Sequence, residues 1–140
     1  MKTLMLAVAL CCFASAADSD EILALERKAL DGLQKGDPDP ALAISAPEIT
    51  YFHVITSKRL DGLPAVKELF NGYRGRPLFD TYEMADSKVQ MAGDAAVLTY
   101  TLVRHMGGDT TRYYATQVYR KTGEGWRVIH SHWSAAGGQQ

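Results

Sequence analysis

The sequence predicts a single α+β domain in which three helices from the N-terminal half pack on one face of an antiparallel sheet. Apolar residues recur at helical spacing in the first half, whereas the second half is rich in alternating β-branched and aromatic residues. The strand-like segments are separated by Gly93-Asp94, Gly108-Asp109 and Gly123-Glu124, which suit two-residue hairpin turns because glycine tolerates positive φ. Helices followed by a meander of strands are typical of the α+β class.

The first sixteen residues have the three-part pattern of an export signal. Lys2 supplies a positive charge, residues 4–14 form an apolar run too short to span a bilayer, and Ala14-Ser15-Ala16 supplies small residues before a cleavage site. The alternative is that this segment forms a buried first helix. We expect residues 1–16 to be removed and residues 17–140 to form the mature domain, which is then periplasmic or secreted.

The composition narrows the chemistry that the mature chain can perform. Cys11 and Cys12 are the two cysteines and both lie in the predicted signal, so the mature chain has neither a disulfide nor a thiolate metal ligand. The formal net charge is -1 and no basic run is present, which argues against nucleic acid as a partner. No second apolar run is long enough to cross a bilayer, so we expect no membrane association after signal cleavage.

The helices are predicted from their capping residues and their apolar spacing. Asp18 or Ser19 can cap the first helix, which Lys35-Gly36 ends. A short second helix is expected from Pro40 to Ala46. The third helix is expected to follow Asp61-Gly62 and to end before Gly75.

The strands are predicted from runs of β-branched and aromatic residues. One strand, from Glu48 to Ile55, precedes the third helix. The four long strands of the meander are expected at about residues 79–91, 95–106, 110–122 and 126–134.

The predicted turns also define which side chains share a face of the sheet, because directly paired residues point to the same side. With Gly123-Glu124 as the turn, Tyr119 faces Val128, Gln117 faces His130 and Ala115 faces His132. With Gly108-Asp109 as the turn, Arg104 faces Tyr113, Leu102 faces Ala115 and Tyr100 faces Gln117. One face is then expected to carry Tyr100, Leu102, Arg104, Tyr113, Ala115, Gln117, Tyr119, Val128, His130 and His132. The opposite face is expected to carry Thr101, Val103, Tyr114, Thr116, Val118, Ile129 and Trp133.

Three segments together resemble a known family. Leu60-Asp61-Gly62, residues 89–96 and residues 125–134 resemble the association domain of calcium/calmodulin-dependent protein kinase II and the SnoaL-like bacterial proteins of the nuclear transport factor 2-like superfamily. The resemblance covers residues 22–135. It implies a cone-shaped domain in which helices close one side of a curved sheet around a pocket, and a sheet that often packs against a partner subunit.

The resemblance does not imply a single activity, since relatives include isomerases, dehydratases and oligomerisation hubs. The hub pocket of the kinase holds arginines at positions that align with Leu102 and Gln117 here. An anion-binding pocket of that kind is therefore not implied, although Arg104 supplies one positive charge nearby.

The candidate ligand-binding residues are those predicted to line the pocket face, together with two residues of the first strand. They are Tyr51, His53, Tyr100, Arg104, Tyr113, Gln117, His130 and His132. His53 and His130 are candidates for a catalytic base because the ordinary pKa of histidine is near neutrality. Arg104 either pairs with Glu83, which the Gly93-Asp94 turn places opposite it, or contacts the ligand.

A metal site is conceivable but not expected. His130 and His132 lie on one face of a strand, and His53 or Glu83 is a possible third ligand. Two histidines alone do not fill a tetrahedral site, so we expect neither a metal nor another cofactor.

Three functions remain open from the sequence. The first is an exported domain that binds a small molecule and associates with itself, and the second is an acid–base enzyme, such as an isomerase or dehydratase acting beside a carbonyl. The third is a pure oligomerisation module. We expect a homodimer through the outer sheet face, since an apolar face of that size is rarely left in water. The residues expected in this interface are Val103, Tyr114, Val118, Ile129 and Trp133.

Overall fold

A computed structural model of the protein describes residues 3–137, with side chains described from residue 15 onward. Side chains are therefore not described for residues 1–14, which make up most of the predicted signal segment, and nothing is described for residues 138–140. The helices are α1 (Thr3–Gln34), α2 (Asp39–Ala43) and α3 (Leu63–Asn71). The strands are β1 (Ser45–Phe52), β2 (Leu60–Asp61), β3 (Thr81–Ala92), β4 (Ala95–Met106), β5 (Asp109–Thr122) and β6 (Gly125–Ala135).

The six strands form one curved, open sheet in the order β2-β1-β6-β5-β4-β3, and the predicted α+β class with helices in the N-terminal half is confirmed. The sheet is not wholly antiparallel, because β1 runs parallel to the last strand, β6. After β1 the chain forms β2 and α3 before it begins the meander of β3 to β6, and β1 lies beside β6, the last strand of that meander. Across the described residues, we find no helix both long enough and apolar enough to cross a membrane.

The core lies between the helices and the inner face of the sheet. Helix α1 contributes Ile22 and Leu30, and α3 contributes Val66, all at most 2% exposed. Tyr119 and Trp126 close the core from the sheet side and are fully buried. Burial of this apolar and aromatic surface is the main force that holds the helices on the sheet.

Two helix boundaries differ from the prediction. Helix α1 passes through Asp18 without a break, so Asp18 is not an N-cap; its carboxylate instead accepts hydrogen bonds from Lys121 Nζ at 2.7 Å and from the indole of Trp126 at 3.1 Å. Helix α2 is shorter than predicted because Ser45 already belongs to β1. Gly36, with φ +74°, follows α1 as predicted.

Two of the three predicted hairpin turns are confirmed, since Ala92 pairs with Ala95 and Thr122 pairs with Gly125. The turn between β4 and β5 is Gly107-Gly108 and not Gly108-Asp109. Both glycines have positive φ, which a two-residue turn of this kind requires.

The changed turn alters the predicted partners but not the faces. Arg104 faces Thr111, Leu102 faces Tyr113, and Tyr100 faces Ala115. A turn displaced by one residue moves every partner by two positions, and residues two apart share a face. The inner positions of β4 and β5 are therefore the predicted ones.

A β-bulge in β6 overturns the predicted faces of the last residues of the sheet. Tyr119 faces Val128 as predicted, but the next pair is Val118 with His130, which leaves Ile129 as an extra residue. Beyond this bulge, Gln117 faces Ser131 and Ala115 faces Trp133. An extra residue reverses the alternation of side chains that follow it. His130 and His132 consequently lie on the outer face, and Trp133 lies on the inner one.

A second bulge, in β3 between Ala85 and Lys88, separates Arg104 from its predicted partner. Arg104 faces Tyr82, whereas Glu83 faces Val103. Asp86 in this bulge has φ 54°. The predicted pair between Arg104 and Glu83 does not form.

Candidate functional site

An open cavity lies between the helices and the inner face of the sheet, and it has two adjoining chambers. The outer chamber has a volume of about 240 Å³ and is lined mainly by aliphatic and aromatic side chains. The inner chamber is smaller, about 50 Å³, and includes Glu26 and Gln117 in its wall. The residues that border both chambers are Leu30, Leu33, Tyr51, Phe70 and Trp133.

Glu26, from the C-terminal third of α1, is the most unusual residue of the cavity because its carboxyl-bearing side chain belongs to a residue that is only 3% exposed. Tyr100 donates its hydroxyl to Glu26 Oε1 at 2.6 Å, and Tyr119 donates to Oε2 at the same distance. Gln117 donates its side-chain amide to Oε1 at 3.0 Å. Three donors from β4 and β5 therefore hold a single helix side chain.

Burial raises the pKa of Glu26, because removing the carboxylate from water disfavours its charged form. The three hydrogen bonds act in the opposite direction, but the burial effect is larger. Burial and the nearby charge of Glu26 also raise the pKa values of Tyr100 and Tyr119 well above their usual value. Both phenols therefore keep their protons and act as donors to Glu26.

Gln117 leaves one acceptor of the inner chamber unused. It is only 6% exposed, and its carbonyl oxygen Oε1 accepts no hydrogen bond from any residue that the structure describes. A buried polar atom without a partner costs stability, so such an atom beside a chamber indicates a place for a hydrogen-bond donor.

Six of the predicted ligand-binding residues lie at or beside the cavity. Tyr51, His53, Arg104 and Tyr113 line the outer chamber, Tyr51 and Gln117 line the inner one, and Tyr100 lies behind Glu26. Whether they bind a ligand remains a prediction.

His53 and Arg104 are held in place by local hydrogen bonds. His53 follows the end of β1, stacks on Tyr51 with ring centroids 5.8 Å apart, and accepts a hydrogen bond from the Ile55 backbone N–H at 3.3 Å. Burial lowers its pKa, which favours the neutral imidazole. Arg104 donates from Nε to the Leu78 carbonyl oxygen at 2.6 Å.

His130 and His132 do not belong to the cavity. His130 Nδ1 lies 2.7 Å from Thr50 Oγ1 on the outer face. The ring of Phe52 lies 6.0 Å from that of His130 and 5.4 Å from that of His132. His130 therefore cannot act as a base on a ligand in this cavity, and neither histidine shares a site with His53.

The prediction missed most residues that border the inner chamber, among them Glu26, Ser131 and Trp133. A signal for Glu26 was present, because Glu26 interrupts the apolar stripe of α1 four residues after Ile22 and three before Ala29. No comparable signal marks Ser131 or Trp133, because they face inward only through the bulge in β6.

The fold and the cavity define a domain of the nuclear transport factor 2-like class. The chain belongs to the calcium/calmodulin dependent protein kinase II association domain family, which matches residues 18–137. No curated protein matches the chain.

Solved structures with the same fold include proteins of several descriptions. A candidate ketosteroid isomerase from Parabacteroides distasonis has 27% sequence identity and a TM-score of 0.75, with 85% of this chain and 88% of that chain covered. A nuclear transport factor 2-like protein of unknown function from Pseudomonas putida has 28% identity and a TM-score of 0.78, with coverages of 90% and 91%. The calcium/calmodulin-dependent protein kinase II hub of S. rosetta has 27% identity and a TM-score of 0.67, with coverages of 82% and 94%.

Proposed function

We propose that the protein is an exported, self-associating domain that binds a small, largely apolar molecule in its two-chamber cavity. The observation that carries this proposal is the pair of buried polar side chains, Glu26 and Gln117, at the inner end of an open apolar chamber. Ligand sites typically combine apolar walls with a few convergent polar groups. A pure oligomerisation module is less well supported, because it needs no open chamber and side chains would fill that space.

Filling the cavity tests the binding proposal. In Leu33→Trp, a larger side chain replaces one that borders both chambers, so we expect ligands identified by thermal shift or by native mass spectrometry to be lost. Ala24→Trp adds the same ring at an exposed position of α1 and is the matched control. Ligands that bind to Leu33→Trp as tightly as to the wild type would show that the binding site lies elsewhere.

An acid–base enzyme is the second candidate, and Glu26 favours it. A buried carboxyl with a raised pKa beside two tyrosines is an arrangement found in catalytic sites. Hydrogen–deuterium exchange next to the carbonyl of a small ketone, followed by NMR, would detect the activity. Exchange that disappears in Glu26→Gln and persists in His130→Ala would support it, whereas equal exchange in all three proteins would count against it.

Self-association is expected to use the outer face of the sheet. Tyr114 is 57% exposed and Phe52 is 40% exposed on this face, close to Thr116 and Val118. The kinase hub among the similar structures supports assembly. The outer face differs from the sequence prediction because Trp133 lies on the inner face, whereas His130 and His132 lie on the outer one.

We predict that Tyr114→Glu dissociates the assembly, since it places a charge in the proposed apolar interface. Analytical ultracentrifugation at micromolar concentration is the measurement. Ala24→Glu adds the same single negative charge at an exposed position of α1 and should leave the assembly intact. A monomeric wild-type protein would contradict the proposed interface.

Export is expected to produce a chain that begins at Ala17. Cleavage there leaves Asp18, which bonds Lys121 and Trp126, within the mature domain. N-terminal sequencing of protein recovered from outside the cytoplasm of its natural host is the measurement. Protein that retains residues 1–16 there would contradict the prediction.

A further inference from the structure

The inner chamber offers hydrogen-bond acceptors whose capacity is not filled by the protein. Gln117 Oε1 has no partner among the described residues, and Glu26 Oε2 accepts one hydrogen bond, from Tyr119. A carboxylate oxygen can accept about two. The hydroxyl of Ser45 is already engaged as a donor to the Ala41 carbonyl oxygen at 2.9 Å, so it does not supply the missing donor.

The charged residues around the inner chamber also indicate that a donor with a positive charge fits there. Within the described part of the chain, no basic residue borders the inner chamber, so Glu26 in its ionised form has no counter-ion there. Arg104 and His53 border only the outer chamber. Arg104 is held by the Leu78 carbonyl oxygen and by the sulfur of Met106, at 2.6 and 2.8 Å.

We propose that the cavity selects a primary monoamine, whose apolar body fills the outer chamber and whose ammonium group enters the inner one. The ammonium donates to Gln117 Oε1 and to Glu26 Oε2 and supplies the missing positive charge. This inference rests on the proposed function, because it names the class of molecule that the cavity binds.

An ammonium group fits these acceptors better than the related neutral or anionic groups. It has three donors and no acceptor, whereas a hydroxyl has one donor. Hydrogen bonds between charged partners are about twice as strong as those between neutral ones. A carboxylate would bring a second negative charge to a buried acidic residue, and Arg104 at the outer chamber disfavours a second cation on the ligand.

Amine binding should also move a proton. The ammonium stabilises the ionised form of Glu26, so any proton that Glu26 carries before binding is released to the buffer. The corresponding alcohol carries no charge and should release none. The heat of amine binding should therefore depend on the ionisation enthalpy of the buffer.

The test uses three probes of one shape, 2-phenylethylamine, 2-phenylethanol and phenylacetate, titrated calorimetrically into the full chain. We expect the amine to bind at least about tenfold more tightly than the alcohol, and phenylacetate to bind most weakly. Glu26→Gln should remove the advantage of the amine over the alcohol, together with the buffer dependence of the heat of amine binding. Glu68→Gln, at an exposed position of α3, is the matched control and should keep the wild-type order.

Each other outcome overturns the inference in a recognisable way. Equal binding of the three probes, with loss of binding in Leu33→Trp, would reject the amine preference and leave the cavity as a binding site. Tighter binding of phenylacetate, or binding of none of the three, would also reject it. If Glu26→Gln does not fold, Gln117→Leu keeps the carboxyl group and should weaken the amine about tenfold, and an unchanged affinity would count against the proposal.

Discussion

Glu26→Ala is expected to lower the free energy of unfolding by about 2–4 kcal/mol. The substitution removes the acceptor shared by Tyr100, Tyr119 and Gln117, so three buried donors lose their partner. Relief of the desolvation of a buried carboxyl opposes this loss, but three unpaired donors outweigh it. Urea denaturation followed by circular dichroism measures the change. A variant as stable as the wild type would show that the donors find other partners, including water in the inner chamber.

Glu26 should also make the stability depend on pH in a direction opposite to that of a salt-bridged carboxylate. Its folded-state pKa is raised above the usual value of about 4.5, so between these two values the native state holds a proton that the unfolded state has lost. Stability is therefore highest below the unfolded pKa and falls as the pH rises through the folded one. Glu26→Gln should remove this dependence, and Glu68→Gln should retain it. A free energy of unfolding that increases with rising pH in the wild type, relative to Glu26→Gln, would contradict this prediction.

Trp133→Ala is expected to lower the free energy of unfolding by about 2–3 kcal/mol and to leave self-association unchanged. Trp133 is half-buried on the inner face, where its ring meets Tyr100 edge-on at 5.9 Å and its indole donates to Ser131 Oγ at 3.0 Å. The expected loss is smaller than for a fully buried tryptophan because Trp133 borders both chambers.

Trp133→Phe is the matched variant for this prediction. It keeps an aromatic ring against Tyr100 and loses only the indole hydrogen bond, so its cost should be about 1 kcal/mol. Denaturation and sedimentation of both variants distinguish a role of Trp133 in packing on the inner face from a role in the interface. If Trp133→Ala dissociated the assembly without loss of stability, Trp133 would belong to the interface and the inward placement would be wrong.

Local patterns in the sequence determined the class of fold and most of its elements. Hairpin turns depend on one or two glycines, which is why Gly93-Asp94 and Gly123-Glu124 predicted which strands pair and the residue pairs between each turn and the bulge beyond it. The strict alternation of side chains along a strand then placed Tyr100, Arg104 and Gln117 on the cavity face, even though one turn was assigned a residue too late.

Only the tertiary structure decided the composition of the site. The bulge at Ile129 has no local mark in the sequence, since isoleucine is an ordinary strand residue, and it lies where β6 pairs with both β5 and the parallel strand β1. That one extra residue places Trp133 rather than His132 in the cavity. Glu26 interrupts the apolar stripe of α1, but that pattern does not show which side chains Glu26 meets. The burial of Glu26, its raised pKa and its three donors exist only because the fold brings α1 against β4 and β5, where Tyr100, Gln117 and Tyr119 lie 74 to 93 residues later in the chain.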